Sequence, residues 1–257
     1  MGTYLITGAS SGIGAACAQN LVNLGHTVVL VARNKEKLLS FAASLKGKCY
    51  CYSYDLEDLD HIPSIFNFCK KEGIKLDGMI YCAGIDAESP IKGCSPRIWE
   101  RAMKINCLAF AEMGRYFYSK RYSNDHARIV AISSSSSVSC DKGMGPYSAS
   151  KAALNAVVKT MAQEFVRRGI LVNAVLPAGV LTPMAITKIQ KMTGQQIDCK
   201  QMEQEIEANP VKIHEQDIQP YGLITTKNLA KIIIYLASPD NHYMTGALVP
   251  ISAGLVF

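Results

Sequence analysis

Two side chains that can move a proton lie one helical turn apart, at Tyr147 and Lys151. Residues four apart share one face of a helix, so the Tyr147 phenol and the Lys151 ammonium are expected to be neighbours. A free tyrosine, with a pKa of about 10, keeps its proton at neutral pH, and an adjacent positive charge is expected to lower that pKa. Such a phenol exchanges a proton with a carbonyl or alcohol oxygen. Because Tyr-x-x-x-Lys also arises by chance on helix surfaces, the pattern alone is weak.

A glycine-rich turn follows the first predicted strand and opens the first predicted helix. Its sequence is Thr7-Gly8-Ala9-Ser10-Ser11-Gly12-Ile13-Gly14. Glycines let the backbone approach a pyrophosphate, and a helix N-terminus directs free N–H groups and the positive end of its dipole at that group. The order of strand, loop and helix favours a dinucleotide site over a plain tight connection. The predicted contacts are Gly8, Ser10, Ser11, Gly12, Ile13 and Gly14.

The residues after the second and third strands predict which dinucleotide binds. An NAD-selective site usually has a carboxylate at the end of the second strand, whereas here Arg33 follows Ala32. Arg33 can form a charge-assisted pair with a 2′-phosphate, so NADP(H) is the predicted cofactor, although Arg33 is also typical of a solvated loop. Asp55 and Leu56 follow the third strand where an adenine is expected. The Asp55 carboxylate either accepts from the adenine amine or only caps the next turn.

Seven short apolar segments alternate with amphipathic helical segments along the chain. Several are apolar almost throughout, such as residues 28–31 and 129–132, as strands covered on both faces require. Right-handed helical crossovers join such strands into a parallel sheet. The predicted fold class is therefore α/β with one seven-stranded parallel sheet. The predicted strands are Thr3–Thr7, Thr27–Ala32, Lys48–Tyr54, Gly78–Cys82, Arg128–Ser133, Ile170–Leu176 and Ala247–Ile251.

Capping residues and proline predict where four of the helices begin. Asn34 is expected to cap one helix, and Asp60 another that has Pro63 early. Ser95 and Pro96 open a third helix, which extends through Leu108. The fourth follows Pro146, and its apolar residues recur at helical spacing at Ala152, Ala156, Val157, Met161 and Phe165.

Composition predicts one globular domain over residues 1–257. The chain is 49% hydrophobic and 19% charged, with a mean hydropathy of +0.09, which argues against disorder. No apolar run approaches the roughly 18 residues of a membrane helix, and the first residues do not resemble a signal peptide. We therefore expect a soluble cytoplasmic protein without a membrane partner.

Charge and cysteine patterns argue against two further kinds of site. The net charge is +6, but the basic residues are spread along the chain rather than gathered into a tract, so no nucleic-acid partner is predicted. The nine cysteines contain no CxxC pair and the five histidines are scattered. We therefore predict no metal site, and the cysteines are interpreted as small buried residues in a reducing compartment.

Two more polar residues complete a recognisable set. Ser134 stands thirteen residues before Tyr147, at the carboxyl edge of the fifth strand, where an open parallel sheet binds ligands. Asn106 lies inside the third amphipathic helix. With the glycine loop and Tyr147-x-x-x-Lys151, these residues make the chain resemble a short-chain dehydrogenase/reductase over essentially its whole length. The resemblance implies a single doubly wound Rossmann-type domain.

The resemblance also implies a role for each of these residues. Tyr147 would be the general acid/base, and Ser134 would hydrogen-bond the substrate oxygen. Lys151 would lower the phenol pKa and hold the nicotinamide ribose, while Asn106 would keep a water in a proton relay. The catalytic set is then Asn106, Ser134, Tyr147 and Lys151, and Tyr147 and Lys151 also contact the cofactor.

Three segments depart from the family pattern. The Asn-Ala-Gly stretch after the fourth strand is Cys82-Ala83-Gly84 here, so Ala83 and Gly84 remain predicted cofactor contacts but the asparagine is missing. The Pro-Gly segment after the sixth strand is Pro177-Ala178, whose methyl group is expected to crowd or reposition the nicotinamide pocket. Pro177 and Thr182 remain predicted cofactor contacts, with Thr182 placed to bond the carboxamide. The usual C-terminal Asp-Gly-Gly is residues 252–254, Ser-Ala-Gly.

The stretch 182–220 is predicted to form a helical lid over the substrate. Gly194 divides two helical patches and is a candidate hinge; the alternative is a static cap. Met184, Ile186, Ile189 and Met192 would offer an apolar wall for a hydrophobic or steroid-like substrate, or else belong to the ordinary core.

These features predict an NADP(H)-dependent oxidoreductase that interconverts a ketone and a secondary alcohol, with Tyr147 as general acid/base. One alternative is a 3-oxoacyl-thioester (acyl-carrier-protein) reductase. Another, of a different class, is a catalytically silent NADP(H)-binding sensor or scaffold, against which the retention of all four catalytic residues argues. The predicted partner is a small ketone or alcohol, and the resemblance alone implies a homodimer or homotetramer.

Overall fold

The computed structural model describes residues 1–194, 196, 198–208, 219 and 222–255. Seven strands form one parallel sheet in the order β3-β2-β1-β4-β5-β6-β9. Each pairs in parallel with its neighbours, for example Thr7 with Val31 and with Tyr81. The order runs outward from β1 in both directions. All carboxyl ends therefore open on one edge, with the point of reversal beside β1.

The strands of this sheet are β1 (Thr3–Thr7), β2 (Thr27–Ala32), β3 (Cys49–Ser53), β4 (Leu76–Tyr81), β5 (Ser123–Ile132), β6 (Leu171–Pro177) and β9 (Leu248–Ile251). A separate two-stranded sheet pairs β7 (Val180–Leu181) with β8 (Ile224–Thr225). The helices are α1 (Gly12–Asn23), α2 (Lys35–Ser44), α3 (Pro63–Lys71), α4 (Pro96–Met103), α5 (Ala109–Phe117), α6 (Ser136–Ser139), α7 (Gly145–Glu164), α8 (Pro183–Thr193), α9 (Cys199–Ala208) and α10 (Thr226–Ala237). Short 3-10 turns lie at Ile91–Gly93 and Phe165–Arg168, and a π-helical segment at Lys104–Leu108 joins α4 to α5.

Two apolar layers cover the two faces of the sheet. One face packs against α3, α5 and α7 through residues such as Phe66, Phe110 and Val158. The other packs against α1, α2 and α10, with Leu21 and Ile233 among its buried residues. The central strands are buried on both sides, which explains their unbroken apolar runs. The predicted α/β class and parallel seven-stranded sheet are confirmed.

Two predicted helix starts differ from the structure. The first turn of α3 is preceded by Ile62 rather than capped by Asp60, because a tight turn over residues 59–62 already has helical geometry and delivers Pro63 to the first position. Helix α7 begins at Gly145, so Pro146 lies inside its first turn, where a missing N–H costs nothing. Asn34 caps α2 as predicted, since its Oδ1 accepts from the Lys37 amide at 2.8 Å.

The buried face of α7 also differs from the apolar stripe in its sequence. Ala152 and Ala156 are exposed, whereas Lys151 and Asn155 are buried together with Leu154. The helix therefore turns a partly polar face toward the end of β5. No helix in the described part of the chain is long and apolar enough to cross a membrane.

Candidate active site at the carboxyl edge of the sheet

The glycine loop, residues 8–14, packs too tightly for side chains at two positions. Gly8 has a φ of +63°, and a Cβ there would lie 3.0 Å from the backbone of Cys82 and Ala83. A Cβ at Gly14 would lie 2.5 Å from the Gly8 carbonyl oxygen. The loop is therefore folded back on itself and pressed against the end of β4. This contact requires glycine, as a strand-to-helix turn around a phosphate does.

The N-terminus of α1 leaves its first amides available for an anion. Ser11 precedes the helix with extended backbone, makes no side-chain cap hydrogen bond, and no acidic residue follows in the first turn. Ser10 and Ser11 are half-buried beside it, while Ile13 is partly buried against the core. Free amides, the helix dipole and two nearby hydroxyls together suit a bound phosphate.

The Ser134 hydroxyl lies near the Tyr147 phenol, where hydrogen bonding from it lowers the pKa of the phenol. Ser134 lies two residues beyond β5, and Tyr147 lies in the first turn of α7. The Ser136 amide donates to Ser134 Oγ at 3.2 Å, which leaves the single proton of that hydroxyl free to point toward the phenol. The structure thus brings together two of the predicted catalytic residues.

Lys151 and Asn106 meet beside Gly84. A Cβ at Gly84 would lie 3.2 Å from Asn106 Oδ1 and 3.4 Å from Lys151 Nζ. Lys151 Nζ donates to the Ile132 carbonyl at 2.7 Å and lies 5.8 Å from the centre of the Tyr147 ring. All four predicted catalytic residues and Gly84 therefore lie close together at the carboxyl edge of the sheet.

Asn106 is fully buried in the π-helical segment, and its side chain fastens neighbouring backbone. Its Oδ1 accepts from the Ile85 amide at 2.8 Å, and its Nδ2 donates to the Ile85 carbonyl at 3.1 Å and to Ser150 Oγ at 2.9 Å. The wider helical turn places the amide there, a distortion common at functional sites. Its role with water stays a prediction.

The pKa of Tyr147 is raised in this structure, and a lowering by Lys151 stays a prediction. Burial raises the pKa of Tyr147 above its ordinary value, the Asp86 and Glu88 carboxylates raise it further, and the hydrogen bond from Ser134 opposes them. Burial likewise lowers the pKa of Lys151 to about 8. Desolvation penalises the charged form of both groups and is the largest cause of each shift.

Arg33, predicted to bind the 2′-phosphate, and Asp55, predicted to contact the adenine, lie side by side. Arg33 Nη1 and Asp55 Oδ2 are 3.8 Å apart, and both side chains are substantially exposed. Asp55 Oδ1 accepts from the Glu57 amide at 3.1 Å, so Asp55 does cap the turn that follows β3. Leu56 is buried in the core. Binding of an adenine or a 2′-phosphate by these residues stays a prediction.

The remaining predicted cofactor contacts surround the glycine loop. The Ala83 amide donates to Thr7 Oγ1 at 3.1 Å, which joins the ends of β4 and β1. The Pro177 carbonyl accepts from the Ser135 amide at 2.9 Å. Thr182 caps α8 through its Oγ1 and lies close to Gly12.

The sequence analysis missed a residue that shapes this loop. The Gln219 side chain accepts from the Gly179 amide at 2.8 Å and donates to the Gly179 carbonyl at 3.1 Å, which ties the segment after β6 in place. Gln219 lies forty residues from Gly179 in the chain, so no local sequence pattern predicts their contact. The Ala178 amide donates to the Ile251 carbonyl at 3.0 Å, and the effect of its methyl group on the nicotinamide pocket stays a prediction.

The predicted lid is helical where it is described. Helices α8 and α9 contain both predicted patches, and Gly194 ends α8 with a φ of +69°. Ile186 is buried, whereas Met184 is exposed; the side chain of Met192 and residues 209–218, 220 and 221 lie outside the described part. Hinge motion stays a prediction. No group of three potential metal ligands occurs in the described ranges.

Comparison with known proteins identifies the family. The model of the short-chain dehydrogenase family matches residues 3–193. The chain belongs to the short-chain dehydrogenase family. The 3-oxoacyl-(acyl-carrier-protein) reductase FabG of Rickettsia felis is 30% identical over 254 residues, covering 99% of this chain and 96% of that protein. The enzyme of the same name from Thermotoga maritima is 28% identical over 258 residues, with 98% and 96% covered.

Solved structures of short-chain dehydrogenases share the whole fold. An actinorhodin polyketide ketoreductase with NADPH superposes with a TM-score of 0.83 at 23% identity, covering 99% of this chain and 97% of that one. L-sorbose reductase from Gluconobacter frateurii, complexed with NADPH and L-sorbose, gives 0.84 at 23% identity, with 99% and 96% covered. The chain is thus an oxidoreductase at the level of its family.

Proposed function

We propose that this short-chain dehydrogenase is an NADPH-dependent reductase that converts a ketone to a secondary alcohol, with Tyr147 as the proton donor. The observation that carries the proposal is the meeting of Tyr147, Lys151 and the end of β5 at the carboxyl edge: Lys151 Nζ lies 5.8 Å from the Tyr147 ring centre and donates to the Ile132 carbonyl, and Ser134 lies near the phenol. Since burial raises the pKa of Tyr147, the phenol holds its proton at neutral pH. A protonated donor favours reduction over oxidation.

The residues present fit a dinucleotide. Glycine at position 14 leaves no side chain between α1 and the Gly8 carbonyl, so the loop packs closely on the helix. The uncapped start of α1 offers its amides to a pyrophosphate. Arg33 would hold a 2′-phosphate and Lys151 the ribose hydroxyls. When bound, the dihydronicotinamide supplies the hydride.

The chain's own residues would bind and protonate the substrate oxygen. Ser134 Oγ donates to that oxygen and orients it toward Tyr147. The phenol then releases its proton to the oxygen as negative charge develops there. The Lys151 ammonium, with a pKa of about 8, stays mostly charged at neutral pH and would stabilise the phenolate that remains.

A 3-oxoacyl thioester is the second candidate substrate. Similarity to 3-oxoacyl-(acyl-carrier-protein) reductases along the whole chain favours it. The buried position of Ile186 and the exposed position of Met184 do not define an apolar wall for either class, so these residues do not decide between the thioester and a free ketone. Comparing turnover of 3-oxoacyl-coenzyme A, 3-oxoacyl carrier protein and a panel of free ketones separates the two.

Replacement of Tyr147 by phenylalanine tests the proposal. We expect Tyr147→Phe and Ser134→Ala each to lower kcat by about 100-fold or more, since general acid catalysis contributes that much. NADPH binding, followed by its fluorescence, should be retained. The exposed Tyr235→Phe is the matched control. Full activity in Tyr147→Phe would contradict the role of Tyr147 as proton donor. NADPH binding without turnover of any carbonyl in the wild type would instead favour the sensor or scaffold.

Location and assembly complete the proposal. We propose a cytoplasmic protein, because the described cysteines are free thiols, as in a reducing compartment. We also propose a homodimer or homotetramer that buries the exposed Leu108 and Val166, which flank α5 and α7. Light scattering after gel filtration measures the mass.

A further inference from the structure

One face of α7 is fastened to the segment that carries Ser134 at three successive turns. Tyr147, Lys151 and Asn155 are four residues apart and share this face. Tyr147 contacts Ser134, and Lys151 Nζ donates to the Ile132 carbonyl. Asn155 Nδ2 donates to Ser137 Oγ at 2.9 Å. The first two are predicted site residues, whereas Asn155 and Ser137 have no role in the proposed function.

The third contact leads back to Ser134 through a directed pair of hydrogen bonds. Ser137 Oγ donates to the Ser134 carbonyl at 2.6 Å. A hydroxyl has one proton, so Ser137 can accept from Asn155 only because its own proton is committed to Ser134. Asn155 and Ser137 are both buried, which protects the pair from competing water. The direction is therefore Asn155 to Ser137 to Ser134.

Burial of the Asn155 side-chain amide costs stability. Its Oδ1 is buried and has no hydrogen-bond partner among the described residues. An unsatisfied buried carbonyl is destabilising, so an apolar residue of similar size would suit a purely structural role better. The part of the side chain that makes a contact is the donor that holds Ser137.

The backbone on each side of Ser134 is already fixed by β6. The Ser133 amide donates to the Val175 carbonyl at 2.8 Å, and the Ser135 amide donates to the Pro177 carbonyl at 2.9 Å. The Ser134 carbonyl and the Ser135 amide form one planar peptide group. Pro177 holds the amide end of this group, and the Ser137 amide and hydroxyl hold the carbonyl end. The orientation of this group sets the direction in which Ser134 Oγ points.

We propose that Asn155 and Ser137 are positioning residues that aim the Ser134 hydroxyl at the Tyr147 phenol. The inference rests on the proposed function, because it assigns a purpose to the contact between Ser134 and Tyr147. Loss of the Ser137 hydroxyl, or of the Asn155 donor that directs it, leaves the carbonyl end of this peptide group held by the Ser137 amide alone. The group then shifts more easily, and the contact of Ser134 with Tyr147 weakens. Because hydrogen bonding from Ser134 opposes the effect of burial on Tyr147, weakening it raises the pKa of the phenol further.

Two variants distinguish a positioning role of Asn155 and Ser137 from a role in packing alone. Ser137→Ala removes the hydroxyl and little volume. Asn155→Asp keeps the shape but replaces the donor with an acceptor, so the Ser137 proton turns to the carboxylate and leaves Ser134. Asn155→Ala serves if the buried carboxylate prevents folding. Ser139→Ala, on the same short helix, and Thr160→Ala, on the exposed side of α7, are the matched controls.

The experiment measures NADPH-dependent reduction of 3-oxoacyl-coenzyme A, or of whichever ketone the wild type turns over best, from pH 6 to pH 10 in folded variants. We expect Ser137→Ala and Asn155→Asp to lower kcat by about 10-fold with KM and NADPH affinity within about 2-fold. The fall in kcat at high pH should move upward, since reduction needs a protonated Tyr147. The double variant should lose no more than Ser137→Ala alone, because Asn155 acts through Ser137.

Unchanged kcat and pH profile in folded Ser137→Ala and Asn155→Asp would overturn the inference, as would losses that multiply in the double variant. Ser134→Ala and Tyr147→Phe in the same assay keep the two proposals apart. If these two retain full activity, the proposed function fails. If they lose activity while Ser137→Ala does not, only the positioning role fails.

Discussion

Burial governs the ionisation of the two titratable side chains at the start of α7. It raises the pKa of Tyr147 and lowers that of Lys151, so each group is pushed toward its neutral form. A phenol that keeps its proton suits a proton donor. An ammonium with a pKa of about 8 remains mostly charged at neutral pH but loses its charge within the range of an ordinary assay.

Lys151 is expected to make the stability of the protein depend on pH. Its pKa is about 8 in the folded chain and 10.5 ordinarily, so the unfolded chain binds more protons between these values and stability rises with pH there. Below about pH 8 the buried ammonium destabilises the fold. Lys151→Met should therefore be more stable than the wild type at pH 7, by about 1–3 kcal/mol, with the difference shrinking toward pH 10.

Urea unfolding at pH 7, 8, 9 and 10 measures this difference, with the exposed Lys159→Met as control. A stability difference between Lys151→Met and the wild type that stays constant over this range would refute the assignment.

Arg33 is expected to select the cofactor. Arg33→Ala should weaken NADPH binding by about 1–3 kcal/mol and leave NADH binding nearly unchanged, because only the former carries a 2′-phosphate. Fluorescence titration with both nucleotides gives the two dissociation constants. Lys35→Ala, also exposed and two residues on, controls for a general loss of positive charge. Equal losses for both nucleotides would contradict the prediction.

At the scale of elements, the glycine loop couples α1 to the ends of β1 and β4. The loop backbone lies against Cys82 and Ala83 on one side, and Gly14 in the first turn of α1 presses on Gly8. The Ala83 amide completes the junction by its bond to Thr7 Oγ1. The position of the α1 N-terminus, and with it the phosphate site, therefore depends on close backbone contact rather than on side-chain packing.

A methyl group at Gly14 should displace α1. Gly14→Ala places a Cβ 2.5 Å from the Gly8 oxygen, so we expect about 1–3 kcal/mol of destabilisation from overpacking and at least about 10-fold weaker NADPH binding. Urea unfolding and fluorescence titration measure the two effects. Gly73→Ala is the control: its φ is +67° but nothing lies within 4 Å, so stability should fall modestly and NADPH binding should not change. Wild-type NADPH affinity in Gly14→Ala would count against the model of the phosphate site.

At the scale of the whole molecule, the candidate active site and the hydrogen bonds of the buried Arg168 lie at opposite edges of the sheet. The carboxyl edge holds the candidate active site, whereas Arg168 holds the start of β5 at the other edge. The buried Arg168 Nε donates to Asp125 Oδ1 at 2.8 Å, and its Nη groups donate to Ser123 and to the Tyr118 carbonyl. One side chain thus joins the end of α5, the start of β5 and the turn that precedes β6.

Removal of Arg168 should destabilise the fold without changing the site. We expect Arg168→Ala to lower the free energy of unfolding by about 3 kcal/mol, because several buried acceptors lose their donor. Arg115→Ala should cost less than about 1 kcal/mol, since the Arg115–Glu112 pair is largely exposed. Urea unfolding gives both values, and NADPH affinity of the folded Arg168→Ala protein should match the wild type. Similar costs for the two arginines would contradict the distinction.

The sequence by itself determined the strands and the motifs of this protein. Strands buried on both faces need apolar runs, so β1 and β2 begin and end where the pattern places them. The glycine loop and the Tyr147-x-x-x-Lys151 spacing are local, and local spacing fixes which residues share a turn or a face. The seven-stranded α/β fold followed from the same patterns.

Only the tertiary structure decided what distant residues do to one another. The direction of the Tyr147 pKa depends on burial by the surrounding loops, the grip of Gln219 on Gly179 spans forty residues, and the bond from Asn155 to Ser137 depends on which side of α7 faces β5. Each effect arises from groups far apart in the chain. Their desolvation and hydrogen bonding exist only once the sheet brings them together, which no local pattern of residue types specifies.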